Sequence, residues 1–85
     1  MRIETELNIG DIMYVIDAEK GKAVVTNHEI TAIKVSAYKD EIVVWYRDSR
    51  GAQYTLNHSH YDYAPIVWAF KTFDEAQAYA DKLNG

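Results

Sequence analysis

Cysteine is absent from this chain, which excludes disulfide staples, thiol nucleophiles and thiolate metal sites together. Small extracellular domains commonly depend on disulfides, so the expectation is a cytoplasmic protein. Proline occurs once, at Pro65, and glycine four times, too rarely for a disordered or low-complexity chain. No apolar run approaches the roughly 18 residues that would suggest a membrane-spanning helix, and no membrane partner is expected. The opening Met1-Arg2-Ile3-Glu4-Thr5-Glu6 lacks the apolar core of a signal peptide. An excess of positive charge is missing too: nine basic and thirteen acidic residues give a formal charge of −4. Phosphate neutralisation drives most nucleic-acid affinity, and the lysines and arginines here are scattered among acids. That disfavours a duplex DNA binder. The acids are equally dispersed, so no acid-dense block imitates DNA.

What the chain does have is apolar and aromatic mass. Of 85 residues, 48% are apolar and 13% aromatic, with seven Tyr and two Trp. A chain this short suits one domain, residues 1–85, whose core must be dense because small domains bury only about 60–65% of their unfolded surface. The run Ile12-Met13-Tyr14-Val15-Ile16 is short, β-branched and aromatic, which predicts a strand. Asp17 to Gly21 turns the chain, with Gly21 free to take a positive φ. Strand character returns in Lys22–Val25 and Glu29–Val35, around Thr26-Asn27-His28. Within the second of these Ile30 is out of step with Ile33 and Val35, which implies burial on both faces or a bulge that shifts the pleat.

The central hairpin is the clearest element. Ile42–Arg47 and Ala52–Leu56 flank the polar loop Asp48-Ser49-Arg50-Gly51. Alternation puts Ile42, Val44 and Tyr46 on one face and Val43, Trp45 and Arg47 on the other. After an irregular 57–64 connection, Pro65 introduces a last strand, Ile66–Phe70. Thr72-Phe73-Asp74-Glu75 is a capping box. The helix it opens spans about 73–83 and carries an apolar stripe of Phe73, Ala76, Tyr79, Ala80 and Leu83. These elements predict a mainly β fold: a five-stranded SH3-like barrel over about 9–70, with one C-terminal α-helix. An open antiparallel sheet with the helix across one face is the rival.

Two stretches carry a resemblance. Ile9-Gly10-Asp11-Ile12-Met13-Tyr14-Val15-Ile16 is similar to the opening strand of small proteins of Gram-positive bacteria and their phages. Val67-Trp68-Ala69-Phe70-Lys71-Thr72-Phe73-Asp74-Glu75-Ala76 is similar to their ending, a strand running into a Thr-x-x-Glu-Ala helix. The resemblance implies an SH3-like barrel and a phage or prophage context. Its motifs are a turn, a strand and a helix cap, so it transfers no functional residue.

Candidate chemistry is sparse. His58-Ser59-His60-Tyr61-Asp62 is the one metal-like cluster: in extended chain His58 and His60 point the same way and could share an ion with Asp62 or distant His28. Without a second close ligand pair, the plain reading is a polar loop and no metal. Ser36, Ser49 and Ser59 lack a nucleophile-elbow setting, and no glycine-rich phosphate loop exists. No enzymatic activity and no cofactor are expected. Trp45 is the informative side chain. Either the helix or the 57–64 connection covers it, or it is an exposed anchor of the kind enriched at interfaces.

The expected function is a non-enzymatic interaction module that binds or inhibits a host protein, or self-assembles. Its surface would comprise Trp45, Val43, Arg47, Tyr61 and Tyr63. One alternative is a single-stranded nucleic-acid accessory domain with Tyr and Trp as stacking platforms beside Arg47, Arg50 and Lys34. Another is a protein that sequesters a small ligand such as a nucleotide signal.

Overall fold

A computed structural model describes residues 5–39, 41–56 and 67–85. Strands β1 (Ile12–Glu19) and β2 (Lys22–Glu29) form an antiparallel hairpin whose register runs from Ile12 opposite Glu29 to Glu19 opposite Lys22. The two turn residues, Lys20 and Gly21, have φ of 50° and 78°. Positive φ at both positions matches the right-handed twist of the flanking strands. Thr26, Asn27 and His28 lie inside β2, paired across to Val15, Tyr14 and Met13.

The parity change at Ile30 is a strand break. Ile30 still belongs to the first ladder: its N–H donates to the Asp11 carbonyl (2.9 Å), and its carbonyl accepts from Gly10 N–H (2.8 Å). The next residue has already moved on, because Thr31 N–H donates to the Arg47 carbonyl (2.9 Å). The chain thereby passes from one sheet to the other within two residues, and the Ile30 side chain is left fully buried.

Strands β3 (Ala32–Ala37), β4 (Ile42–Arg47) and β5 (Gln53–Thr55) make the second sheet. The short β6 (Ala69–Phe70) returns to pair with β1 at Tyr14 and Val15. Sheet orders are β2-β1-β6 and β3-β4-β5, linked by a parallel bridge between Thr55 and Trp68. The fold is thus mainly β with one C-terminal helix. The expected five-stranded closed barrel is not found: the described residues form six strands in two three-stranded sheets, and these do not close. β5 and β6 span only three and two residues, too little ladder to complete a barrel wall.

Alternation along β1 divides the interior. Met13 and Val15 face the space between the sheets, where they meet Ile30, Tyr46, Tyr54 and Ala69. Tyr14 and Ile16 face the other way, toward Phe70, Ala76 and Ala80. This second cluster is the seat of α1 (Phe73–Leu83). Thr72 caps the helix in extended backbone, its hydroxyl accepting from Glu75 N–H at 3.2 Å. At the other end Asn84 reaches β2: its Oδ1 accepts from Ala23 N–H (2.8 Å) and its Nδ2 donates to the Ala23 carbonyl (2.9 Å). The contact face of α1 is narrower than the sequence stripe. Ala76 and Ala80 are buried and Tyr79 packs edge-on to Trp68 (5.3 Å), whereas Phe73 and Leu83 remain half exposed. Small alanines set the helix close to the sheet, and the stripe's bulky ends overhang it. Among the described residues no helix is long and apolar enough to cross a membrane.

Candidate functional site

β4 is the central strand of its sheet, so its two faces see different surroundings. Tyr46 and Val44 pack into the inter-sheet core with Ile33 of β3 and Tyr54 of β5. The Tyr46 hydroxyl accepts from Leu7 N–H at 3.4 Å, and burial pushes its pKa up. The opposite face carries Val43, Trp45 and Arg47, as alternation requires. Trp45 stands opposite Lys34 on β3 and Thr55 on β5. It is partly buried and forms one wall of a shallow cleft of about 230 Å³, lined also by Lys34, Ser36, Tyr38 and Gln53. Lys34 and Ser36 project there because they are two apart on β3. Tyr38 enters from the turn after β3, where its N–H donates to the Glu41 carbonyl (2.7 Å). The cleft joins two aromatic rings, one cation and two neutral polar side chains. That is an aromatic anchor with a polar rim.

The other expected surface residues are placed as follows. Arg47 is exposed, opposite Ala32 and Gln53 at the strand's end. Val43 is completely buried and offers no side chain to a partner. Tyr61 and Tyr63, and the metal candidates His58, His60 and Asp62, lie outside the described residues. Helix α1 packs on β1, β2 and β6, so the helix is not what covers Trp45. Among the described residues no group of three or more His, Asp or Glu could hold a metal ion.

A second polar cluster, not anticipated from the sequence, joins the two sheets at the β4–β5 loop. Asp48 is buried and organises that loop: Oδ1 accepts from Arg50 N–H (2.9 Å) and Ala52 N–H (3.1 Å). Its Oδ2 accepts from Arg50 Nε (3.0 Å) and Nη2 (2.7 Å). Burial opposes ionisation of Asp48, but the Arg50 guanidinium and the two backbone N–H groups outweigh it and hold its pKa below the usual value. Asp48 reciprocally raises the pKa of Arg50. Arg50 Nη2 also donates to the Tyr54 hydroxyl (3.2 Å) and lies 3.1 Å from His28 Nε2 on β2. His28 Nε2 is in turn 3.1 Å from Thr26 Oγ1, whose hydroxyl donates to Asp17 Oδ2.

Thr26, His28 and Asp48 have the order of a hydroxyl–imidazole–carboxylate relay, yet the bonds run against one. The Thr26 proton goes to Asp17, and Arg50 competes for the His28 nitrogen that would have to accept it. His28 Nδ1 stands 3.8 Å from Asp48, beyond hydrogen-bond reach. The cluster therefore pins β2 to the β4–β5 loop. Of its members only Arg50 and His28 carried a signal in the sequence, through charge and residue type. Asp48 was visible only as a polar loop residue. Compared with known proteins, the chain matches no family model, no curated protein and no solved structure.

Proposed function

We propose that this protein is a non-enzymatic interaction module whose β3–β4–β5 outer face receives an acidic segment of another protein. The observation that carries this reading is the cleft around Trp45. It places a tryptophan on the face opposite the core, beside exposed Tyr38, with Lys34 lining it and Arg47 exposed next along the strand. Large aromatics rimmed by polar groups supply most of the binding energy at protein interfaces. Two cations on this face of a chain with net charge −4 favour a partner carrying carboxylates. At about 230 Å³ the cleft is smaller and more open than the roughly 300–1,000 Å³ of a small-ligand pocket.

An SH3-like relationship belongs to the same proposal. It is supported by the sheet orders, in which β2 and β3 act as one bent strand shared between sheets and β6 returns to β1. Phage or prophage origin, with a host protein as target, rests on the resemblance of the opening strand and of the final strand running into the helix alone. The second functional reading is a single-strand nucleic-acid platform, favoured by Trp45, Tyr38, Lys34 and Arg47 sharing one face. Affinity capture from a bacterial lysate with wild-type, Trp45→Ala and Tyr38→Ala chains separates the two. The interaction reading expects a discrete protein that is captured at moderate salt and is lost with either variant while the circular dichroism spectrum is unchanged. A salt-sensitive mobility shift of single-stranded oligonucleotides, abolished by Trp45→Ala, would replace it with the nucleic-acid reading.

A further inference from the structure

The two sheets treat their outer edges differently. The edge of β2 is guarded: α1 packs against it, and the Asn84 amide occupies both the N–H and the carbonyl of Ala23 as a neighbouring strand would. It also carries Lys22, His28 and Glu29. Among the described residues the edge of β3 has no such cover. Among the described residues β3 pairs only with β4, it contains no proline, and its single charge is Lys34. At this edge Val35 is 41% exposed and Tyr38 53%. An unguarded edge of this kind is a template for another strand.

We propose that the β3 edge pairs antiparallel with β3 of a second copy of this chain, about a two-fold axis at Val35. In an antiparallel pair directly opposite residues share a face, and faces match across a two-fold only if the axis passes through a residue position. Two such registers overlap β3 most fully, centred on Lys34 or on Val35. The first sets Lys34 against its own image, which is repulsive. The second sets Val35 against Val35 and Ile33 against Ala37 on the core side, and Lys34 against Ser36 on the outer side. Apolar meets apolar, polar meets polar, and the lone cation faces a hydroxyl. The contact is self-complementary, as a closed two-fold dimer requires.

The pairing has a consequence for the cleft. Tyr38 continues the outer row of Lys34 and Ser36, so in this register it comes beside Ala32 of the copy and diagonal to the copy's Lys34. The two Trp45 clefts then adjoin across the axis as one groove on a continuous six-stranded sheet. A segment bound there would touch both copies.

Because the chain has no native cysteine, one introduced thiol reports register directly. Sedimentation of the 85-residue chain should show a monomer–dimer equilibrium, and Val35→Lys, at an exposed position, should raise its dissociation constant about tenfold or more with an unchanged melting temperature at concentrations where wild type is monomeric. Under mild oxidation Val35→Cys should crosslink to a covalent dimer, opposite residues being within disulfide reach, whereas Lys22→Cys on the guarded edge should not. A monomer at millimolar concentration overturns the proposal, as does a dimer indifferent to Val35→Lys or equal crosslinking at both edges. The proposal is independent of the partner reading: a monomer whose Trp45→Ala variant still loses its partner would refute the dimer alone.

Discussion

Asp48 shows how one residue is decided by competing terms. A carboxylate with a side chain only 1% exposed would ordinarily favour its neutral form, yet four donated hydrogen bonds from two residues keep it ionised. Its folded pKa is depressed, so its contribution to stability is present above the ordinary carboxylate range and is lost as pH falls through the folded value. Asp48→Ala should destabilise the protein by about 2 kcal/mol, since it removes the acceptor for Arg50 and for two loop N–H groups. Urea denaturation at neutral pH measures this. Asp48→Asn should reduce the drop in stability that wild type shows below about pH 4; an unchanged acid limb would mean other carboxylates dominate it.

At the scale of elements, α1 works through its small residues and its ends. Ala76 and Ala80 bring the helix onto Ile16 and Phe70, and Tyr79 adds ring contacts to Trp68 and Phe70. Ending the chain after Lys71 should expose this outer face of β1 and β6 and leave a molten, aggregating species, because buried apolar area of this kind dominates the stability of small domains. Sharp, dispersed amide resonances in the truncated chain would show the helix to be dispensable. Asn84 gives a finer test. Asn84→Ala removes both bonds to Ala23 and should cost about 1 kcal/mol. Hydrogen exchange at the Ala23 amide should accelerate well before exchange at Val15, which lies in the core.

The whole molecule is held together where its sheets share one core. Met13 and Val15 from one sheet meet Tyr46 and Tyr54 from the other, and the Asp17–Thr26–His28–Arg50–Asp48 cluster ties them again at the rim. The first sheet has its own cluster under α1, but both sheets line the one inter-sheet core, so the two should melt together. Far-ultraviolet circular dichroism and near-ultraviolet tyrosine–tryptophan signals should give coincident transitions. Two separated transitions would mean that the sheets unfold as independent units.

Features that depend on near neighbours are legible in the amino-acid order. A turn closing at Gly21, the β4–β5 hairpin, the Thr72 cap and the Ile42/Val44/Tyr46 versus Val43/Trp45/Arg47 alternation all follow from local chemistry within a few residues, although Asp17 to Glu19, expected in that turn, extend β1. The same order registers a disturbance at Ile30, because a change of parity is visible without a partner strand. That this disturbance is a transfer between sheets emerges only on folding, when Thr31 bonds to Arg47 while Ile30 bonds to Asp11. Likewise Val43 and Trp45, equivalent in the pattern, differ in burial, and Phe73 and Leu83 overhang a helix seat built from alanines. The Asp48 cluster was invisible for the same reason: Asp17 and His28 reach it from strands 20 or more residues away in sequence. Side-chain periodicity specifies which way a residue points, but what it meets there is fixed by chain segments that come together only on folding.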